Sequence, residues 1–398
     1  MRRVFLALVL SAAAAAPASA QPAPWMPERM TAGWVFTPGI SFGGMWDSNV
    51  TVRNENTPTT SELVGLFNPR GEIDFNGRRA KFSAGYSGML ETYREVNELT
   101  RYDQRGRLQA RYQMTPRLQF NTQQQLTISP TTDQLELGGL PFTRVGSRML
   151  DGRGGFVYDL TQRAKLTGNY NFQWVNFDRA AEAEPDFALL QGGHSHSPGV
   201  ELRYQLARRL DVGANWNYRH TTIDGGEQIF DSQDARGIVS YDVGPSTTVH
   251  GSLGIAHVTM VRTAETQTGP SFGASLSHKA GHVALDVGYE RSFLPSFGFG
   301  GLSANEVFHA GVNLPLAGSR MYAASGFTWR RTEPTLEQPI VVTLNSYWWN
   351  SSFGFHVARW LRTEAFYSLT HQASNAQGNV DRSRIGVQFV TSKPMRIQ

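Results

Sequence analysis

Apolar and polar side chains alternate along this chain in segments of about a dozen residues, separated by short polar turns. In 81–93, Phe82, Ala84, Tyr86 and Leu90 alternate with Lys81, Ser83, Ser87 and Glu91. In 163–174, Leu166, Tyr170, Phe172 and Trp174 alternate with Lys165, Asn169, Asn171 and Gln173. Successive side chains of a strand point to opposite faces, so each segment makes one oily wall and one wet wall. Strands of soluble sandwiches alternate too, but usually run only about 5–6 residues. Strands of about 9–11 residues are long enough to cross a bilayer at a tilt. The pattern predicts an all-β fold, a transmembrane antiparallel β-barrel.

Eighteen segments can be read, from 33–47 at the start to 380–391 at the end, with 198–206 and 233–243 among the shorter ones. A count of sixteen is also compatible with the pattern. Tight turns at Asn76-Gly77, Thr115-Pro116, Gly244-Pro245, Ala280-Gly281 and 315–318 carry turn chemistry. They alternate with longer connections, the clearest at 48–61, 131–146, 177–197, 222–232, 294–302 and 331–340. In outer-membrane barrels the short turns are periplasmic and the long loops external. An even count therefore puts both termini in the periplasm. A single barrel over 33–391 explains the length without any linker or composition break.

The two walls stay consistent from segment to segment. Leu108, Ala110, Tyr112, Phe120, Val212, Trp216 and Leu285 share the wall assigned to lipid. The other wall carries Arg105, Arg107, Arg111 and Arg117, then Gln119, Asn121, Gln123 and Gln125, then Arg163, Lys165, Asn169, Asn171 and Gln173. Arg or Lys facing lipid near the midplane costs roughly 2–4 kcal/mol, so these residues are expected to line a pore. Gln124 and Asn176 break the pattern and fall on the outward wall. A barrel of this size is too wide for its own side chains to fill, which implies a channel. The basic members would form a stripe that draws anions, and the amides would offer a passing solute weak, exchangeable hydrogen bonds.

Composition adds to this picture. A mean hydropathy of −0.35 looks soluble, but a barrel's two walls cancel in every window. No run of eighteen apolar residues occurs, so no transmembrane helix is expected. Residues 1–20 read as an export signal: Arg2 and Arg3, an apolar run, then Ala18-Ser19-Ala20 as the cleavage site. Residues 21–32 would follow as a periplasmic segment. Cysteine is absent, which excludes disulfides and thiolate chemistry. The 23 Phe, 13 Tyr and 9 Trp suit interfacial girdles. A net charge of +4 is mild and calls for no nucleic-acid partner.

Candidate chemistry is sparse. His194 and His196 sit in the longest loop, near Glu182, Glu184 and Asp186, but a metal site usually needs three or four ligands. They read as a solvated loop tip. No nucleophile elbow, zinc-protease or phosphate-loop motif occurs, so no catalytic, metal or cofactor site is assigned.

The first segment and its exit read Thr37-Pro38-Gly39-Ile40-Ser41-Phe42-Gly43-Gly44-Met45-Trp46-Asp47-Ser48-Asn49, and the second carries Phe67-Asn68-Pro69-Arg70. This arrangement resembles the outer-membrane β-barrel porin family associated with exopolysaccharide biosynthesis and export. The resemblance implies a conduit for a secreted polysaccharide, fed by a periplasmic polysaccharide export protein. Asp47 and Asn49 are its motif positions; read alone, they are the polar lip where the first strand enters its outer loop. Such barrels meet lipid and lipopolysaccharide, and their last strand, here ending near Phe389, is read by the barrel assembly machinery. Residues 392–398, with Lys393, Pro394 and Arg396, are expected to hang as a periplasmic tail. Polysaccharide export is thus the first functional expectation. A general diffusion porin for small solutes would use the same lumen, and an outer-membrane hydrolase comes third.

Overall fold

A computed structural model of the chain describes residues 33–135, 137–178, 190–223, 228–298, 301–316, 320–335, 342–375 and 378–397. The export signal, the segment 21–32, Glu182, Glu184, Asp186 and part of the 315–318 turn lie outside the described residues. The first strands are β1 (Gly33–Asp47), β2 (Glu62–Asn76), β3 (Ala80–Thr92), β4 (Arg101–Gln113), β5 (Leu118–Ser129) and β6 (Ser147–Asp159). Next come β7 (Ala164–Phe177), β8 (Gly193–Ala207), β9 (Leu210–Ile223), β10 (Gln228–Asp242), β11 (Thr247–Met260) and β12 (Thr266–Ala280). The ring is completed by β13 (Val283–Pro295), β14 (Leu302–Leu316), β15 (Met321–Pro334), β16 (Leu344–Ala358), β17 (Leu361–Ser374) and β18 (Gly378–Ser392).

Each strand pairs antiparallel with its sequence neighbours, and β1 pairs with β18 from Gly39–Ser392 to Asp47–Arg384. That last pairing closes an eighteen-strand barrel and leaves no open edge for aggregation. One turn of 3-10 helix, Asn97–Leu99, lies in the loop before β4. With strands about 4.8 Å apart and tilted about 40°, the backbone ring is about 35 Å across.

The alternation sorts by face as the sequence pattern predicts. Trp34, Phe42, Tyr112, Phe120, Tyr158, Tyr204, Trp216, Tyr241 and Leu253 all stand exposed on the outside of the ring. Trp34, Tyr112, Tyr158 and Tyr241 sit within a residue or two of the turn ends, and Trp46 and Tyr102 at the loop ends, as two interfacial bands require. A closed barrel with this outward apolar band is a protein of the Gram-negative outer membrane.

Three details differ from the sequence pattern. β8 begins at Gly193 and β10 at Gln228, each five residues before the alternation reveals it. His194, His196 and Asp231 occupy outward positions there, so hydropathy no longer alternates although the backbone does. The C-terminal residues do not hang free: Met395–Ile397, a short β19, pair with Phe36 to Trp34 of β1. Pro394 interrupts β18 and β19 because it has no N–H to donate, but pairing resumes beyond it.

Candidate channel constriction

The lumenal face follows from the register. Arg105, Arg107, Gln109 and Arg111 of β4 stand opposite Thr127, Gln125, Gln123 and Asn121 of β5. Gln125 and Asn121 stand opposite Asp151 and Gly155 of β6, which in turn face Gln173 and Asn169 of β7. Gln119, Asn171 and Lys165 fall on the same face. These side chains form one continuous polar sector across four strands. Arg117 and Arg163 do not join it along the wall. They sit in turns one residue before β5 and β7, where Asp159 and Gln205 N–H groups bond their carbonyls. Part of the basic sector is neutralised in place, since Arg107 Nη2 lies 3.1 Å from Glu72 Oε1.

The connection between β5 and β6, residues 130–146, is where the lumen narrows. It leaves the wall and crosses to the far side of the barrel. Its Gly139 N–H bonds Thr332 Oγ1 of β15 at 3.4 Å, and its Phe142 N–H bonds Gln372 Oε1 of β17 at 2.7 Å. Gln372 Nε2 returns a bond to Leu140 O at 3.0 Å, and Trp348 Nε1 of β16 donates to Asp133 O at 2.8 Å. β5 and β14 are nine staves apart in a ring of eighteen, so contacts to β15, β16 and β17 reach across the lumen. All these anchors lie within about five residues of the loop ends of their strands, so this strap sits in the outer part of the channel. Thr132 folds it on itself, its Oγ1 donating to Pro141 O at 2.6 Å and accepting from Thr143 N at 2.8 Å.

Apolar burial explains why the strap lies inside. Leu135, Leu140 and Val145 pack with Ile223, Phe230, Val258 and Phe297, all under a tenth exposed. Phe142 packs edge-on against Trp348, ring centres 5.3 Å apart, with Val52 and Val380 beside them. A fully buried Leu or Phe contributes about 1.5–3 kcal/mol, so these side chains offset part of the cost of ordering the loop. Val52, in the 48–61 loop, holds a φ of 52°, a conformation costly for a β-branched residue that this packing maintains.

A buried charge knot fixes the strap's position. Arg382 Nη2 is 2.7 Å from Asp47 Oδ2 and its Nη1 is 3.0 Å from Asp133 Oδ2. Arg384 reaches the same pair, 3.1 Å to Asp133 Oδ2 and 3.4 Å to Asp47 Oδ2. Two cations and two anions cancel, and the hydrogen bonds that join them offset the cost of removing them from water. Burial pushes the Asp133 carboxyl up, but the Arg382 and Arg384 guanidinium groups outweigh it and hold it below its ordinary 3.8. Arg105 Nη2 also ties to the strap, bonding Gln134 Oε1 at 3.0 Å. Arg144 Nη2 anchors the strap's exit to Leu99 O at 2.6 Å.

The motif positions belong to this knot and not to a solvated lip. Asp47 and Asn49 are fully buried. Asn49 N–H bonds Asp47 Oδ1 at 3.0 Å, and its Nδ2 bonds Arg53 O at 2.8 Å and Asp381 O at 2.9 Å. They shape the exit of β1 and its seam with β18. His194 and His196 likewise are not at a loop tip. They project outward from β8, with rings 5.4 Å apart, and the His196 Nδ1 meets the Tyr170 hydroxyl. Sequence reasoning passed over Asp133, Trp348 and Gln372. The available signal was Leu135, Leu137, Leu140 and Phe142 together in one long connection.

No protein-family model and no curated protein matches the chain. Among solved structures it is similar to the Pseudomonas aeruginosa outer-membrane porins OpdO (12% identity, 91% of this chain and 98% of that one, TM-score 0.44) and OpdK crystallised with vanillate (10%, 90% and 99%, 0.45). Acinetobacter baumannii OccAB4 is similar at 9% identity over 93% and 100% of the two chains, TM-score 0.45. At these levels the reading of the barrel rests on the chain's own register.

Proposed function

We propose that the chain is a diffusion porin, admitting small polar solutes through a lumen that the 130–146 strap narrows. The carrying observation is the strap itself, pinned across the channel by Arg382, Arg384, Asp47 and Asp133. A constriction built on buried ion pairs and packed leucines sets a size limit for what passes. Below it, Arg105, Arg107, Arg111, Lys165 and the amides Gln119, Asn121, Gln123, Gln125, Asn169, Asn171 and Gln173 line the path. Their hydrogen bonds are worth only about 0.5–1.5 kcal/mol each net, weak enough for a solute to exchange partners and leave. The cationic members favour anions modestly, with Glu72 and Asp151 opposing them.

The polysaccharide-export expectation rested on the length, the strand count and the resemblance of the first two strands; length and strand count suit a diffusion porin equally, and Asp47 and Asn49 serve the β1 exit. Liposomes containing the purified barrel test the porin reading by swelling in neutral sugars of increasing size. Monosaccharide should enter fastest, trisaccharide slowest, and a variant lacking 131–145 should lose that discrimination. Impermeability to every small solute, with surface polysaccharide lost when the gene is deleted, would return the export reading.

A further inference from the structure

The lipid-facing side carries polar side chains that hydrocarbon cannot satisfy. Gln124 lies midway along β5, on the outer face, between Leu108 of β4 and Gly152 of β6. Its neighbour toward the loop end is Leu126. Toward the turn end is Thr122, whose Oγ1 accepts from Gln124 Nε2 at 3.3 Å and donates to Arg153 O at 3.1 Å. A glutamine amide has two donors and two acceptor positions, and these neighbours use little of that capacity. Nearer the loop ends, the outward Tyr86 hydroxyl lies 3.0 Å from the Tyr102 hydroxyl and 3.3 Å from Gln104 Oε1. An unsatisfied polar group facing acyl chains is strongly disfavoured.

The surface beside Gln124, toward the turn end, is hollow. Gly106 and Ala110 of β4, Gly152 and Gly154 of β6 and Gly168 of β7 occupy outward positions by register. Of these, Ala110, Gly154 and Gly168 line, with Thr122, a groove of about 510 Å³ rimmed by Tyr112, Phe120, Phe156 and Tyr170, and the Gln124 amide stands beside it over Gly152. A third of the way round the ring from β5, β11 presents Leu253 and Ile255, 69% and 61% exposed, as an ordinary acyl-facing surface does.

We propose that the outward face of β4–β7 is a contact between two copies of this chain in the membrane. An acyl chain offers no hydrogen bond, whereas a second copy inserted to the same depth brings Gln124 and Thr122 to the same height. The amide is complementary to itself, its N–H dipoles facing the other copy's carbonyl oxygen. Rotational symmetry lets the same patch serve both partners. Small residues allow close backbone approach, and polar side chains bind across the joint, as at other contacts within membranes. The proposal is independent of what the lumen carries.

The absence of cysteine makes the test clean. Gly154→Cys is placed in the groove, where a Cβ would have Thr122 Oγ1 as its nearest neighbour at 4.0 Å. Leu253→Cys, outside the proposed contact, serves as the control. In intact outer membranes, a short bis-maleimide should join Gly154→Cys barrels into dimers at least tenfold more efficiently than Leu253→Cys barrels. Adding Gln124→Leu should reduce that yield several-fold, while heat-modifiable gel migration shows the barrel still closed. Wild type in mild detergent should have a mass of more than one copy. Equal, low cross-linking at both positions, a single-copy mass, or cross-linking indifferent to Gln124→Leu in a closed barrel would overturn the proposal.

Discussion

Arg382 is 1% exposed and holds both Asp47 on its own wall and Asp133 on the strap. Replacing it by Met leaves two buried carboxylates to share Arg384. Removing one member of a buried ionic cluster costs about 3–5 kcal/mol, so Arg382→Met should release the strap and lower the temperature at which the barrel loses its compact gel migration. Acid should act on the same knot. Asp133 titrates below its ordinary 3.8 because its charged form is held. A carboxylate so depressed adds stability that is fully present above the unfolded value and lost as pH falls through the folded one. Hydrogen exchange at 131–135 should therefore stay slow from pH 7 down to pH 5, after correction for intrinsic rates, and accelerate below the ordinary 3.8. Protection independent of pH down to 2 would contradict that. Little of this was legible beforehand. Asp47 stood out by position, but its partners Arg382 and Arg384 are 335 and 337 residues away, and pairing across a closed ring leaves no local trace. Arg382 and Arg384 were legible as lumenal by parity alone.

Strands were far more legible than side-chain partners because a period of two repeats many times in each. β1 and β6 begin where the alternation places them, whereas the starts of β8 and β10 were hidden by outward His194, His196 and Asp231. Polar residues at a membrane interface obey the pleat without obeying hydropathy. The β1–β18 seam shows what alternation cannot reveal. A Cβ on Gly43 would lie 2.1 Å from Val387 O and 2.7 Å from Gln388 Cα, both backbone atoms that cannot swing aside. Gly43→Val should therefore lower the fraction that closes on refolding into detergent, read as loss of the heat-modifiable band. Gly251→Ala, where a Cβ meets nothing within 4 Å, should refold as wild type does. Equal yields for the two would show that the seam tolerates the bulk.

At the scale of the molecule, an even number of long strands made a closed barrel with a wide lumen foreseeable, but not how that lumen is narrowed. The strap's burial comes from residues of β9, β11 and β14 to β18 meeting one loop, a convergence that only the closed ring produces. It turns a ring about 35 Å across into a channel whose outer part is filled by packed side chains. The central claim is that this strap, above a basic polar sector, limits what the channel conducts. Single-channel recording in planar bilayers under a salt gradient, comparing wild type with a variant lacking 131–145, tests it most directly. The account predicts a steady, modest, slightly anion-selective conductance that rises several-fold when the strap is removed. Unchanged conductance in the closed variant barrel, or clear cation selectivity in wild type, would contradict it.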